Sequence, residues 1–537
     1  MRDRHRGQFP RFGRVVGNGW LFAALLGAIF SAGCAPLAMW WEARNLETVP
    51  QVVALPDDYD SFAPREPYNG PLPSERPYRA NDSEFPVRLG EVGPIDYSLG
   101  ELQYPFACET EESRLGPPQV DNQRGWGTPV HENGVLKGYS KDCLLPTRAG
   151  YYYHQANTRR LFPLTPDTDP ATITRATVNG EEVPFIVRVE QGTINRFIYL
   201  IVVLADPAND LKYPSGELWN KKLIYYFRGG VGIGKRQGAT RVSTATSRRL
   251  DDLANGYAVA YSSGTQTKTH YNVRLAGVTA AMVIAQFEAL YGEPDYTVAI
   301  GGSGGAVQQY LIAQNQPGLL DALIPMYSYP DMISQTIWAF DCELLEYYFD
   351  VTAKDQRRWR DQEQRSLVMG LAADNEVVNY FNRFDTWSRL IKLRMPRMIR
   401  GATECSLSWR GLIPLTNNPT FTSEFARYKP AVMQQTRFSH WHDLKDFYGT
   451  DQYGYAHRTF DNEGVQYGLG VLVTGALTPV EFLHLNAHIG SWKHPKDMRP
   501  ERFWLVSGDD EFGRLSIWSH HNMRTLRSKS LTLKQFE

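Results

Sequence analysis

This 537-residue chain has little of several things, and each shortage excludes something. It carries almost no net charge: 57 Lys and Arg stand against 58 Asp and Glu, a formal −1. A protein that tracks a phosphate backbone needs a concentrated basic face, so no nucleic-acid partner is expected. There are five cysteines and none in CxxC spacing, which excludes the usual zinc-ribbon frameworks. His484 and His488 share a helix face, but the Glu of H-E-x-x-H is missing, so a zinc protease is not expected. No internal repeat is visible. What is present, 42% hydrophobic and 21% charged residues, is a globular composition on a chain long enough for one large or two ordinary cores.

The small charge is unevenly placed. Arg2, Arg4, Arg6, Arg11 and Arg14 face only Asp3 in residues 1–33, and without that stretch 52 basic and 57 acidic side chains remain. The basic start leads into an uncharged run from Trp20 to Gly33, then Ser31-Ala32-Gly33-Cys34. A basic lead, an apolar stretch and small residues before a cut describe an export signal. The small residues before Cys34 resemble a lipobox, with Ser31 where leucine is usual, so lipidation of Cys34 is one expectation. An uncleaved membrane anchor is another, because the uncharged run continues through Trp41. Either reading puts the protein outside the cytoplasm, in the cell envelope or secreted. An oxidising compartment favours bridges among Cys108, Cys143, Cys342 and Cys405. Pairing within each region of the chain predicts Cys108–Cys143 and Cys342–Cys405.

Beyond the anchor at 1–41, residues 42–95 are rich in Pro, Asp, Glu and Tyr and read as an extended lead. Residues 96–220 hold short β-type runs, among them Pro184–Val189 and Phe197–Leu204, with Gly192-Thr193 as the expected break. From 221 to 330 strands alternate with helices. The strand Leu223–Phe227 ends in the glycine loop 229–234, and the strand Tyr257–Tyr261 is followed by a helix from about Asn272 to Gly292. Then come the strand Tyr296–Ile300, a helix from Gly304 to Asn315 and an apolar run to Met326. That rhythm predicts a mostly parallel sheet covered on both faces, an α/β architecture with an irregular β-containing N-terminal region packing on it. Residues 331–460, rich in Trp, Tyr, Arg and Phe, read as a helical cap insertion. Residues 461–537 read as a return to the core, with a late strand at Phe503–Val506.

Gly301-Gly302-Ser303-Gly304-Gly305 fits G-x-S-x-G and falls between a strand and a helix. A nucleophile elbow needs that context: the turn is strained, and its serine projects above the sheet in front of a helix N-terminus. Ser303 is the expected nucleophile. The N–H of Gly304, with that of Gly230 or Val231 in the loop after the earlier strand, is expected to hold the oxyanion. Acid and base should follow the serine in that order, which selects Asp510 (beside Asp509) and His521 (beside His520). His440 and His442 read as cap residues. The loop also nearly completes a P-loop, Gly229-x-x-x-x-Gly234-Lys235, although Arg236 replaces the magnesium-binding Ser/Thr. Nucleotide binding therefore stays open as an alternative.

Several blocks resemble a known family. GGSGG with its helix and the LLDALIP run at 319–325 resemble tannase and feruloyl-esterase-like α/β-hydrolases, and more closely a family of exported bacterial proteins of unassigned function related to them. PFACETEESRLG around Cys108, VRVEQGTINR before Phe197, ECSLSWRGLIP at Cys405 and DNEGVQYGLG from Asp461 carry the same resemblance. It implies an α/β-hydrolase that cleaves a small-molecule or polymer ester through an acyl-serine, with no cofactor and no metal. Tannases place a cysteine beside the nucleophile, where this chain has Gly302. The resemblance also implies that family members extend past residue 537 and hold their acid and base there. A catalytically incomplete envelope protein of the same fold is thus the rival expectation.

Overall fold

The computed structural model describes residues 84–98, 106–209, 213–232, 236–330, 332–353, 356–370, 373–374, 401–403, 405, 416–419, 437, 439–498 and 523–524. The first strands in chain order are β1 (Thr128–Glu132), β2 (Val135–Ser140), β3 (Arg148–His154), β4 (Leu161–Pro163), β5 (Arg175–Val178) and β6 (Glu181–Pro184). They are followed by β7 (Ile186–Ile194), β8 (Phe197–Leu204), β9 (Lys222–Tyr226), β10 (Ala258–Ser262), β11 (Tyr296–Gly302) and β12 (Ala322–Met326). Eight of them form one sheet in the order β12-β11-β9-β10-β8-β7-β3-β4.

One half of that sheet is parallel and carries the βαβ units: β9 pairs with β10 and β11, and β11 with β12. The other half is antiparallel. The N-terminal strands β3, β4, β7 and β8 extend the sheet itself, joining it where β8 pairs with β10. The β7–β8 turn lies at Asn195-Arg196, not at Gly192-Thr193, which are mid-strand. Asn195 and Arg196 have φ of 52° and 70°, and two successive positive φ values make the turn whose twist matches a two-residue hairpin.

β8 (FIYLIVVL) is buried on both faces, and its alternation shows why. Tyr199, Ile201 and Val203 face a cluster with Val283 and Phe287 of the helix Val273–Tyr291. Leu200, Val202 and Leu204 face the opposite cluster with Ala245, Leu250 and Leu253 of two short helices. Period-two side chains between two apolar layers leave a strand nowhere polar to face. The long helix has the ends its sequence asks for: Asn272 caps it, accepting from Leu275 N at 3.0 Å, and Gly292 closes it with φ 87°.

Described residues between Ile337 and Trp492 build a separate aromatic cluster in which Phe340 stacks on Phe460 and meets Trp492 edge-on. A return to the sheet core is expected from 461, and its expected late strand Phe503–Val506 lies outside the described residues. Within 461–492, Tyr467, Leu477, Leu485, Ile489 and Trp492 pack with Phe340, Tyr348 and Trp359. Among the described residues, no strand after β12 joins the eight-stranded sheet. Cys108–Cys143 and Cys342–Cys405 are disulfide-bonded.

Candidate active site

β11 ends at Gly302 and the next helix starts at Gly304, leaving Ser303 alone between them at φ 57° and ψ −129°. A non-glycine residue held at positive φ is strained, so its surroundings must over-determine it. Ser303 N donates to Met326 O of β12 at 3.2 Å, and Ser303 O accepts from Ala306 N at 2.9 Å. Gly304 takes the first helical position, where the N–H has no intrahelical acceptor. A Cβ at Gly304 would run into the Thr267 hydroxyl, so only glycine fits between the elbow and that threonine.

The described part of the glycine loop after β9 packs directly against the turn that carries Ser303. A Cβ on Gly229 would sit 2.7 Å from Gly302 O, 2.9 Å from Gly304 N and 3.0 Å from Ser303 Cβ. Behind the loop, Gln266 Nε2 donates to Gly229 O at 3.2 Å. Thr267 Oγ1 donates to Gly230 O at 2.8 Å, and Tyr271 OH to the same oxygen at 3.3 Å. Gly230 has φ 124°, a conformation open to glycine and costly for other residues. Farther along, Arg236 pairs with Glu109 at 3.5 Å, and Gln237 Nε2 donates to the carbonyls of Cys143 and Arg196. The PFACETEESRLG block and its disulfide thus anchor the loop's far side.

That geometry disfavours nucleotide binding. A phosphate cradle needs successive N–H groups around an open cavity, with a helix starting at once. Here Gly229 is packed on the elbow, Arg236 is ion-paired, and the next helix is the five-residue Val242–Thr246. Gly234 and Lys235 lie outside the described residues.

Ser303 Oγ is 2.8 Å from the hydroxyl of Tyr329, a half-buried residue just after β12. None of the described histidines bonds to it. His494 Nε2 is 2.7 Å from Asp451 Oδ2, and its Nδ1 accepts from Lys496 N at 3.2 Å, so both ring nitrogens are committed. Burial pushes the Asp451 carboxyl up, but His494 and the amides of Tyr453 and Tyr455 outweigh it and hold it below the usual range. His484 Nδ1 is 2.8 Å from Tyr348 OH, and its ring stacks on His488. His440 and His442 sit on the short helix His440–Asp443, which leans on the turn behind the glycine loop. The His440 ring meets Tyr271 edge-on at 4.4 Å, and Asp443 Oδ2 accepts from Tyr271 N at 2.8 Å. Burial lowers both histidines to about 4 and raises Asp443 to about 7. Asp509, Asp510, His520, His521 and Cys34 lie outside the described residues.

Gln266, Thr267, Tyr271 and Tyr329 are the residues at this site that the motif does not announce. A serine on a strained strand-to-helix turn, flanked by a glycine loop from an earlier parallel strand, marks the α/β-hydrolase class of fold. Within it, the chain belongs to the Tannase-like family of unknown function (DUF6351), whose model matches residues 92–511. No curated protein matches the sequence. Among solved structures it is similar to Candida antarctica lipase A, with 13% identity and a TM-score of 0.21 over 56% of this chain and 65% of that one. It is also similar to the rice cell wall degrading esterase LipA from Xanthomonas oryzae, with 11% identity and a TM-score of 0.23 over 48% and 67%. A third is oligopeptidase B from Trypanosoma brucei, with 14% identity and a TM-score of 0.19 over 33% and 23%. The chain spans less than two thirds of the oligopeptidase and of the lipase.

Proposed function

We propose that the protein is an exported serine hydrolase that cleaves a carboxylic ester, small or polymeric, through an acyl-Ser303 intermediate. Ser303 Oγ attacks the carbonyl carbon while His521, oriented by Asp510, takes its proton. The oxyanion is held by the N–H of Gly304 and that of Gly230 or Val231. Collapse expels the alcohol, which regains the proton, and water then releases the acid. One observation carries this reading: Ser303 stands at φ 57° between β11 and its helix, with Gly229 packed against Gly304 N. Strain of that kind is stored where a side chain must be presented. Membership of a tannase-like family supports an ester as the substrate class.

A second reading has its own observation. Ser303 Oγ meets a phenol, Tyr329, and among the described residues it meets no histidine, as an incomplete site of the same fold would. Hydrolysis of simple aryl esters by the full chain separates the two. The esterase reading predicts turnover that falls at least about a thousandfold in Ser303→Ala and comparably in His521→Ala. Equal, background-level rates for wild type and Ser303→Ala would transfer the conclusion to the incomplete protein.

A further inference from the structure

We infer that the oxyanion loop is aimed from behind by the turn 266–271, with Thr267 and Tyr271 as its positioning residues. This rests on the acyl-serine reading and deepens it. In a trans peptide the C=O and N–H point in opposite directions, so fixing one aims the other. The Gly230 carbonyl accepts from both Thr267 Oγ1 and Tyr271 OH, which fixes the peptide whose N–H belongs to Val231. The Gly229 carbonyl accepts from Gln266 Nε2, which fixes the peptide whose N–H belongs to Gly230. Two consecutive peptides are therefore held by their oxygens, and their N–H groups face away from the turn. Neither N–H donates to another described residue. A glycine pair with φ 124° at its second member has no stiffness of its own, so these three side chains supply it.

Thr267 has a second contact that makes the arrangement specific. The oxygen that holds the Gly230 carbonyl also lies against Gly304, the residue whose N–H is the other oxyanion donor. One side chain thus sets the spacing between the two donors. Tyr271 is held in turn through its own N–H, which donates to Asp443 Oδ2 on the helix His440–Asp443. Preorganised donors act only if they are aimed at the oxygen before it becomes charged, and a misplacement of about 1 Å costs roughly a hundredfold.

The test compares Thr267→Val, which keeps the shape and loses the hydroxyl, with Thr267→Ser, which keeps the hydroxyl. Two readouts are taken: saturation kinetics of a fluorophosphonate probe, and amide hydrogen exchange of the peptide spanning Phe227–Gly232. Thr267→Val should label about tenfold or more slowly at saturating probe with unchanged half-saturation, and its loop should exchange faster. Thr267→Ser should stay within about twofold of wild type in both, and Tyr271→Phe should fall between. If Val and Ser behave alike, whether both like wild type or both impaired, the hydroxyl does not position the loop and the inference is overturned. If wild type ignores the probe while only Thr267→Val loosens the loop, the anchoring stands and the acyl-serine reading fails.

Discussion

Gly302 stands beside Ser303 where tannases carry a cysteine, and the local packing gives a reason. A Cβ at Gly302 would enter the ring of Tyr327, which has φ 32° in the turn after β12. The Tyr327 ring occupies the space that a side chain at Gly302 would need. In the helix His440–Asp443, His440 is buried and His442 and Asp443 are half-buried, which allows a prediction with a definite sign. His440 and His442 are lowered to about 4 by burial, with Lys445 and Arg437 adding to the effect at His442. The unfolded chain binds these protons below about 6.5, where the folded chain holds both rings neutral, so acidification from 6.5 toward 4 favours unfolding. Asp443 runs the other way: burial raises its carboxyl to about 7, so its contribution is full at acid pH and is lost as pH rises through 7. The melting temperature of His440→Leu should therefore fall less than that of wild type between pH 7 and pH 5. That of Asp443→Asn should fall more. Parallel pH profiles for all three proteins would show that these groups are not buried as described.

At the scale of elements, the sequence is most readable where pattern and punctuation agree. The helix Val273–Tyr291 is bounded by Asn272 and Gly292, and the helix Gly304–Asn315 follows a strand and a glycine-rich turn. Both were legible because caps and glycines act locally. The hairpin at Asn195-Arg196 was misplaced because Gly192 is the more obvious breaker, yet it lies mid-strand, where a Cβ would approach Thr147 Oγ1 to 2.8 Å. The partner of an element was harder to read than its type. Nothing in the apolar spacing of 465–492 says whether it packs on the sheet or on Phe340 and Trp359; that is decided by tertiary contact. The candidate site divides in the same way. Ser303 and Gly304 were legible as a motif in context, whereas Thr267, Tyr271 and Tyr329 are ordinary loop residues until the fold brings them to it.

Across the whole molecule, two disulfides brace two different regions of the scaffold. Cys108–Cys143 secures the block that anchors Arg236 and Gln237, and Cys342–Cys405 lies inside the aromatic cluster around Phe340 and Trp359. Such bridges persist in oxidising compartments, which accords with the basic and apolar N-terminal run ending at Cys34. Fractionation of the native host should find the processed protein in the envelope or medium. If Cys34 is lipidated, Cys34→Ala should release it from membranes; unprocessed protein in the cytoplasm would contradict export. Whether Ser303 works as a nucleophile is tested most directly by covalent labelling of the purified chain with a fluorophosphonate. Stoichiometric modification mapped to Ser303 is expected, abolished in Ser303→Ala and slowed in Gly230→Ala. An unmodified Ser303 in the folded, disulfide-bonded protein would contradict that role.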